Sequence, residues 1–471
     1  MPLTRRTLLT NSASVTALAT LRRLLLAQAQ HDPSWPAAPP TDTDPIPAPA
    51  TKAAKALQAH ITSQLGPAQW DNFYHRIRTL NTDLATHGLR PIDGIPNTTF
   101  LTGYPNNEFY DWDLYFENLY LSYYGIYPWC FSNLKEFLNR QQPDGYISRS
   151  LIHQRDRQHF KPFLAQLVVL GAKQDSNDYE WLRGNYYDRL AKYLTKWFSY
   201  DGDKNGLPTW NSCDAAGTDN QWSRAGGLSA FEVEGVDLAS YLVRELRAMA
   251  VIATHLNLKA DAAAYTQHAD EVIKLINAVF WDEKEGMYFD QNEKTGQRVP
   301  VKSATSFTPL FAGAVPAARA KRMIHEHLLN TSEFWLAYPV ASYARTEPDY
   351  YQGTHIVYAA HRECNWRGPN WAPTNYMIFQ GLRAYGYHAE ARDLANRCLD
   401  QVLVKNPVLR EYYNAETGEG IGKDRFWGFT SLYFGMVLET LTDYDASSLD
   451  KPNRAIFTTE LGIQFPPVPK A

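Results

Sequence analysis

Apolar residues recur at steps of three and four positions along most of the chain beyond residue 50. The clearest stripe, between positions 236 and 256, consists of Leu238, Leu242, Leu246, Met249, Ala253 and Leu256. A second, between 391 and 403, consists of Ala391, Leu394, Ala395, Cys398 and Val402. Such spacing places apolar side chains on one face of a helix. Strand-like alternation is scarce, as near Met287-Tyr288-Phe289, so the pattern predicts an all-α protein.

The unusual residues are concentrated between the predicted helices. Gly, Pro, Asp, Asn and Trp cluster in segments 103–113, 141–148, 201–224, 365–375 and 412–427. Functional side chains are found disproportionately on loops that a rigid scaffold holds in place. A ring of helical hairpins would bring these loops together at one end. Because no strict sequence repeat is present, we favour a closed ring over a solenoid.

The N-terminus has the features of an export signal. Residues 1–30 contain the twin-arginine pattern Thr4-Arg5-Arg6-Thr7-Leu8-Leu9 and a small-residue cleavage candidate at Ala27-Gln28-Ala29, although Arg22 and Arg23 interrupt the apolar stretch. Residues 31–50 are a Pro-rich linker, and 51–465 are expected to form the catalytic domain. This organisation predicts a periplasmic or secreted protein; the alternative is a cytoplasmic protein with a disordered leader. No segment is long and apolar enough to predict a membrane span.

Composition narrows the function classes. A net charge of −4 over 471 residues gives no support for nucleic-acid binding, which favours a basic surface. The four cysteines (Cys130, Cys213, Cys364 and Cys398) form no CxxC pair, so a zinc or thioredoxin-like site is not expected, and disulfide pairing stays open. Aromatic residues make up 13% of the chain. They suit stacking on a small-molecule carbohydrate, although a large helical core uses them too.

Carboxylates in aromatic surroundings are the candidate catalytic groups. Asp214 and Asp219 lie between Trp210 and Trp222, where shielding from water would raise the pKa of a carboxyl, as a general acid requires. Chemistry alone leaves both candidates open. Glu411, followed by two tyrosines, is the candidate base. Cleavage of a glycosidic bond usually employs two such carboxyl groups.

The segment that starts at Asp201 resembles a calcium loop. Its Asp-Gly-Asp-Lys-Asn-Gly sequence matches the start of an EF-hand, but Ser212 occupies the twelfth position, where a bidentate Glu is required. A simple turn is therefore favoured here over a non-catalytic calcium site, and we expect no metal or cofactor in the reaction.

Aromatic and polar residues in the same loops are candidate sugar ligands. They are Tyr110, Trp112, Asp113, Gln142, Trp222, Trp366, Arg367, Trp371, Tyr412 and Trp427, with Arg149 and Lys161 as further possibilities. Each has a structural alternative, because an Asp at the start of a helix is also a capping residue and Pro143-Asp144-Gly145 is ordinary turn chemistry.

Several motifs in fixed order carry a family resemblance. They are Tyr110-Asp111-Trp112-Asp113-Leu114-Tyr115, Gly217-Thr218-Asp219, Trp366-Arg367-Gly368-Pro369, Pro369-Asn370-Trp371-Ala372-Pro373, Gly381-Leu382-Arg383-Ala384-Tyr385-Gly386 and Glu411-Tyr412-Tyr413. With them the chain resembles the clan of (α/α)6-barrel glycosidases that includes trehalases and family 63 α-glucosidases. In its short length it is most similar to the bacterial mannosylglycerate and glucosylglycerate hydrolases.

The resemblance implies a fold and a reaction. The fold would be an (α/α)6 toroid with long loops that form a pocket at one end. The reaction would be exo-acting, inverting hydrolysis of a small α-glucoside or α-mannoside, such as a disaccharide or a glycosylglycerate, with Asp219 as general acid and Glu411 as general base. Trehalases have Glu-Ser before the glycine of the acid motif, where this chain has Ala215-Ala216, and their polyglycine segment is missing. Trehalose is therefore a less favoured substrate.

Two other functions fit the same fold. A sugar epimerase or isomerase usually transfers protons through histidine, but His153, His159, His355 and His361 lie mostly outside the motifs. A non-catalytic sugar-binding protein would not need both carboxylates. Both features favour the hydrolase.

Overall fold

The computed structural model describes residues 43–91, 99–103, 109–151, 158–210, 213–224, 232–353 and 364–451. The expected export signal, most of the linker and the C-terminal end of the expected domain lie outside these ranges. His153, His355 and His361 lie outside them too, as do the side chains of Cys213 and Asp214.

Helices dominate the described part of the chain. They are α1 (Lys52–Leu65), α2 (Ala68–Asp83), α3 (Asp111–Ser122), α4 (Pro128–Asn139), α5 (Leu164–Gln174), α6 (Asn185–Phe198), α7 (Cys213–Ala216), α8 (Val236–His255), α9 (Lys259–Leu275), α10 (Thr308–Phe311), α11 (Ala317–Met323), α12 (Ala372–Ala384), α13 (His388–Asp400) and α14 (Leu432–Leu441). Single π-helical turns extend α2, α9, α11 and α13. None of these described helices is long and apolar enough to cross a bilayer.

Short antiparallel strands lie between the helices. They are β1 (Leu89–Pro91), β2 (Thr99–Leu101), β3 (Val233–Glu234), β4 (Trp281–Asp282), β5 (Met287–Tyr288), β6 (Asp290–Asn292), β7 (Arg298–Val299), β8 (Arg410–Tyr413) and β9 (Gly420–Asp424). β1 pairs with β2, β4 with β5 and β8 with β9, and β6 lies between β3 and β7. The expected helical class is confirmed, as are the helix from 236, the helix that contains 391–400 and the strand at Met287.

Burial divides the helices into two layers. All 12 residues of α3 are buried, as is α12 from Ala372 to Leu382. A helix that is buried on every face belongs to an interior layer. By contrast, only Ala269 and Val272 are buried in the 17 residues of α9, which therefore lies on the outside.

The inner helices contact one another in a cyclic order. α3 packs on α5, α5 on α8, α8 on α10, α10 on α12, α12 on α14, and α14 back on α3. Outer helices pack against them, as α9 does on α8 and α13 on α12 and α14. The loops that precede α3, α12 and α14 contain the motifs identified in the sequence.

A buried carboxylate joins the C-terminal ends of three inner helices. Glu439 in α14 accepts hydrogen bonds from the Tyr123 hydroxyl (2.6 Å), the Tyr376 hydroxyl (2.9 Å) and the Gln380 amide (2.5 Å), and it pairs with Arg383. Tyr123 follows α3, and Arg383 lies in the last turn of α12. The three helices therefore run in the same direction, with their N-termini at the opposite end.

We expect Glu439→Gln to lower the free energy of unfolding by about 3 kcal/mol, because it leaves the Arg383 guanidinium without its counter-charge in the interior. Urea denaturation followed by circular dichroism measures the change. Glu271→Gln, on the exposed surface of α9, is the matched control and should stay within about 0.5 kcal/mol of the wild type. Equal stabilities for the two variants would contradict this role of Glu439.

Candidate active site

The first part of the site is the start of α3, where two carboxylates have different surroundings. Asp111 is fully buried and accepts hydrogen bonds from the backbone N–H of Lys161 (2.9 Å), the Lys161 ammonium (3.1 Å) and the backbone N–H of Trp112 (2.8 Å). Lys161, which supplies two of these donors, lies in a loop 50 residues away. Asp111 is thus a structural anchor that attaches the start of α3 to the loop before α5.

Asp113, two residues later, is buried with an unused acceptor. Its Oδ1 atom has no hydrogen-bond partner among the described residues. Burial, with the negative charges of Asp111 and Glu411, raises the pKa of Asp113 to about 7, while Lys161 and Arg149 oppose the shift. A carboxyl with this pKa is partly protonated at neutral pH, so it can donate as well as accept a hydrogen bond from a ligand hydroxyl.

Asp219 is half-buried in the turn that follows α7. Gly217 precedes it with φ +78°, and a Cβ there would lie 2.8 Å from Cζ2 of Trp112 and 2.9 Å from Cε of Lys161. Glycine is therefore needed for the turn to approach Trp112.

Amide side chains attach this turn to the segment around Trp366. The Trp366 backbone N–H donates to Oδ1 of Asn220 (2.8 Å), and the Gln221 amide donates to the Trp366 carbonyl (2.5 Å). The Asn220 amide also donates to Oδ1 of Asn365 (3.2 Å). Neither amide was among the residues predicted from the sequence, where their position beside the acid motif is the one signal that points to them.

Glu411 lies at an irregularity of the β8–β9 ribbon. Arg410 pairs with Asp424 and Tyr412 with Ile421, and the register shifts between Arg410 and Tyr412. Such bulges redirect side chains beside active sites. Glu411 is only 4% exposed, and its Oε2 accepts the Lys423 backbone N–H at 3.3 Å.

Cys364 and Arg149 show that these carboxylates share one site. The Cys364 thiol donates a hydrogen bond to Asp219, and burial together with the charges of Asp219 and Glu411 raises the pKa of this thiol well above its usual range. For Arg149, burial opposes the charged form, but the charges of Asp111, Asp219 and Asp113 outweigh it and raise the pKa of the guanidinium. Cys364, Cys130 and Cys398 carry free thiols.

An aromatic stack forms one wall beside the carboxylates. Trp366 and Trp371 stack with ring centroids 3.8 Å apart and planes at 8°, and Trp371 stacks on Tyr412 at 4.4 Å. Both faces of the Trp371 ring are therefore covered, so Trp371 and Tyr412 support the wall from behind. Trp112, whose ring centroid is 5.6 Å from that of Trp366, continues the wall towards Asp113.

The remaining candidates occupy varied positions. The Arg149 guanidinium lies over the ring of Tyr110 at 5.0 Å, and Trp427, 4% exposed, donates its backbone N–H to the Gly103 carbonyl. Trp222 and Arg367 are half-buried. Gln142 is exposed and lies in a turn, where its backbone N–H donates to the Tyr146 carbonyl (2.8 Å) and its carbonyl accepts the Gly145 N–H (2.9 Å). These hydrogen bonds connect it to the turn and not to the carboxylates.

The segment from Asp201 forms the expected turn. The Asp201 carboxylate accepts the backbone N–H groups of Asn205 (3.2 Å) and Gly206 (2.9 Å). Asp203 and Glu293 lie beside it, with carboxylate oxygens within 4.8 Å of one another.

We expect Asp113→Asn to change the pH dependence of stability. Because the folded-state pKa is raised from about 4 to about 7, the Asp113 carboxyl disfavours folding increasingly as the pH rises through that window. Asparagine cannot ionise, so the free energy of unfolding of the variant relative to wild type should rise by on the order of 2–4 kcal/mol between about pH 4 and pH 7, then level off.

Urea denaturation at about pH 5 and about pH 8 measures this difference. Asp144→Asn is the control, because Lys196 lowers the pKa of the exposed Asp144 carboxyl, so its effect should be the same at both pH values. If the effect of Asp113→Asn were equally independent of pH, the raised pKa would be contradicted.

Comparison with known sequences identifies relatives of this chain. The family model for the mannosylglycerate hydrolase MGH1-like glycoside hydrolase domain matches residues 112–430. A mannosylglycerate hydrolase of Thermus thermophilus is 33% identical over 149 residues, which cover 31% of this chain and 32% of that protein. One from Rubrobacter radiotolerans is 29% identical over 213 residues, 44% of this chain and 45% of that protein. The aligned segments span less than half of these curated relatives.

Solved structures show the same fold. A mannosylglycerate hydrolase of Thermus thermophilus, solved in complex with Tris and D-glycerate, superposes with a TM-score of 0.62 and 20% identity, over 76% of this chain and 99% of that chain. The neutral trehalase Nth1 of Saccharomyces cerevisiae gives a TM-score of 0.56 and 17% identity, over 78% and 80%. These findings confirm the resemblance drawn from the motifs.

Proposed function

Because the chain belongs to the family of mannosylglycerate hydrolase MGH1-like glycoside hydrolase domains, we propose that it is an inverting, exo-acting α-glycosidase. The observation that carries this proposal is a pair of carboxylates, Asp219 and Glu411, beside one residue. The Cys364 thiol is hydrogen-bonded to Asp219, and the charge of Glu411 also raises the pKa of that thiol. Asp219 is the general acid and Glu411 the general base. The substrate is a small α-glucoside or α-mannoside, and the names of the relatives favour a glycosylglycerate.

The reaction needs two proton transfers, one from the attacking water and one to the glycosidic oxygen. Glu411 removes a proton from a water molecule, whose oxygen attacks the anomeric carbon. On the opposite face of the sugar, Asp219 protonates the glycosidic oxygen as the bond to the leaving group breaks. In inverting glycosidases the two carboxyl groups stand about 6.5–9.5 Å apart, which leaves room for that water.

The terminal sugar would lie between the aromatic wall and Asp113. Trp112 and Trp366 supply apolar faces, and the open Oδ1 of Asp113 would bond a sugar hydroxyl. Tyr110, Trp222, Arg367 and Trp427 would complete the pocket, while Trp371 and Tyr412 hold the wall in place. The exposed position of Gln142 gives it the weakest case among the candidate ligands.

We further propose that residues 51–465 form one (α/α)6 toroid whose pocket opens at the loops before α3, α12 and α14. The cyclic packing order of the six inner helices supports this architecture. So does the outer layer formed by helices such as α9 and α13.

His159 gives no support to an epimerase. Burial lowers the pKa of His159 to about 4. Its ring nitrogens face the backbone of Ile147 (3.1 Å) and Tyr193 (3.2 Å). Both nitrogens are thus occupied by the scaffold, and His159 is a structural residue.

A proton-NMR time course tests the proposal. The panel is trehalose, kojibiose, nigerose, maltose, isomaltose, glucosylglycerate and mannosylglycerate. We expect initial release of the β-anomer from one of these α-glycosides. If the sugar attacked at its anomeric carbon appeared first as the α-anomer, the role of Glu411 as a water-activating base would be overturned. For trehalose this means two α-glucose molecules instead of one α and one β. An epimer formed without bond cleavage would overturn hydrolysis.

Asp219→Asn and Glu411→Gln should each lower kcat about 10²- to 10⁴-fold with little change in the circular dichroism spectrum. Asp188→Asn, on the exposed face of α6, is the matched control and should retain wild-type activity. Near-full activity of either site variant would remove that residue from the mechanism.

Gly422→Ala tests the placement of Glu411. Gly422 has φ +74°, and a Cβ there would lie 2.9 Å from Oε2 of Glu411 and 2.6 Å from Cε1 of Tyr412. The displaced carboxylate should lower kcat about tenfold or more. Gly296→Ala is a close control, because Gly296 has φ +66° with no atom within 4 Å of its added Cβ. Steady-state kinetics of both variants measure the effect, and equal kcat values would contradict the placement.

A further inference from the structure

A buried arginine lies directly behind the turn that contains Asp219. Arg224 is 5% exposed, and its guanidinium pairs with Asp237 (2.5 Å) and with Asp290. Asp237 lies in the first turn of α8, and Asp290 is on β6. The fourth member of the group is Thr218, whose hydroxyl accepts a hydrogen bond from Nη1 of Arg224 at 3.4 Å.

The two aspartates are themselves fixed by the scaffold. Asp237 accepts hydrogen bonds from the Trp210 indole (2.9 Å) and the Leu238 backbone N–H (2.8 Å), and Asp290 accepts the Val236 backbone N–H (2.8 Å). Burial opposes the charge of Arg224, but the charges of Asp237 and Asp290 outweigh it and raise the pKa of the guanidinium. Its planar fork of donors is therefore held in one orientation.

Asp219 is thus flanked by two attachments. On one side, Thr218 is bonded to Arg224; on the other, Asn220 is bonded to the Trp366 backbone. Buried ion pairs add little stability compared with well-packed apolar residues, but they fix geometry. A general acid needs fixed geometry, because a displacement of about 1 Å can cost about 100-fold in rate.

We propose that Arg224 is a positioning residue for the general acid: through the Thr218 hydroxyl it holds the turn so that the Asp219 carboxyl faces the glycosidic oxygen. The proposal rests on the proposed function, in which Asp219 is the acid. Arg224 has no role in the attack of water, which depends on Glu411.

Substrates that differ in the leaving group separate this role from a general effect on folding. A glycosidic oxygen in an alkyl glycoside needs protonation to leave, whereas the fluoride of an α-glycosyl fluoride leaves with little help. The two substrates are the α-glycoside that the NMR panel identifies and the α-glycosyl fluoride of the same sugar. We expect Arg224→Lys to lower kcat/KM about 30-fold for the glycoside and less than about threefold for the fluoride.

Arg244→Lys is the matched control. Arg244 is also a buried arginine that contacts three acceptors, Oε1 of Gln166 (2.9 Å) and the carbonyls of Ser447 (2.6 Å) and Phe311 (3.3 Å), and it lies farther along α8. This variant should change kcat/KM for both substrates by the same small factor. Thr218→Val removes only the hydroxyl, and it should show the same leaving-group dependence as Arg224→Lys even if the latter folds poorly.

Asp219→Asn distinguishes a failure of the proposed function from a failure of the positioning role of Arg224. If Asp219→Asn lowers kcat/KM equally for both substrates, Asp219 is not the acid and the proposed function fails. If it shows strong leaving-group dependence while Arg224→Lys or Thr218→Val shows none, the proposed function stands and the positioning role of Arg224 is overturned.

Discussion

The inner helices are buried over most of their length, so the polar side chains in and beside them must find partners within the protein. This constraint accounts for the pairing of Asp111 with Lys161, of Glu439 with Arg383 and of Arg224 with its two aspartates. An unpaired charge in such an interior is strongly unfavourable. Each pairing therefore fixes where one chain segment meets another, and together these contacts set the positions of the loops.

The two ends of the inner layer satisfy this constraint differently. At the C-terminal ends of α3, α12 and α14, Glu439 has a full set of donors. At the N-terminal ends, Asp113 keeps an open acceptor, and Asp219 and Glu411 gather nearby. Helix N-termini carry partial positive charge and favour anionic groups. The scaffold thus makes the N-terminal end suitable for several carboxylates whose negative charges repel one another.

The sequence predicted the parts that depend on local pattern. The stripe between 236 and 256 forms α8, and Asp113 lies in the first turn of a helix, where an Asp at a helix start was expected. The choice of Asp219 over Asp214 came from the family resemblance, and Glu411 was a candidate because two tyrosines follow it. The sequence could not assign Asp111 to Lys161, because that partner lies 50 residues away, nor show that Trp371 is covered on both faces. Such contacts between distant loops leave no periodicity in the chain.

The electrostatics of Asp113 and Glu411 link the proposed sugar binding to the proposed activation of water. Burial raises the pKa of Asp113 most, and the negative charges of Asp111 and Glu411 raise it further. A proton on Asp113 removes its repulsion with Glu411, which suits the proposed role of Glu411 as an anionic base. The same proton gives Asp113 a donor for a sugar hydroxyl. The raised pKa of Asp113 therefore serves both halves of the proposed reaction, and it follows from the burial that the inner helices impose.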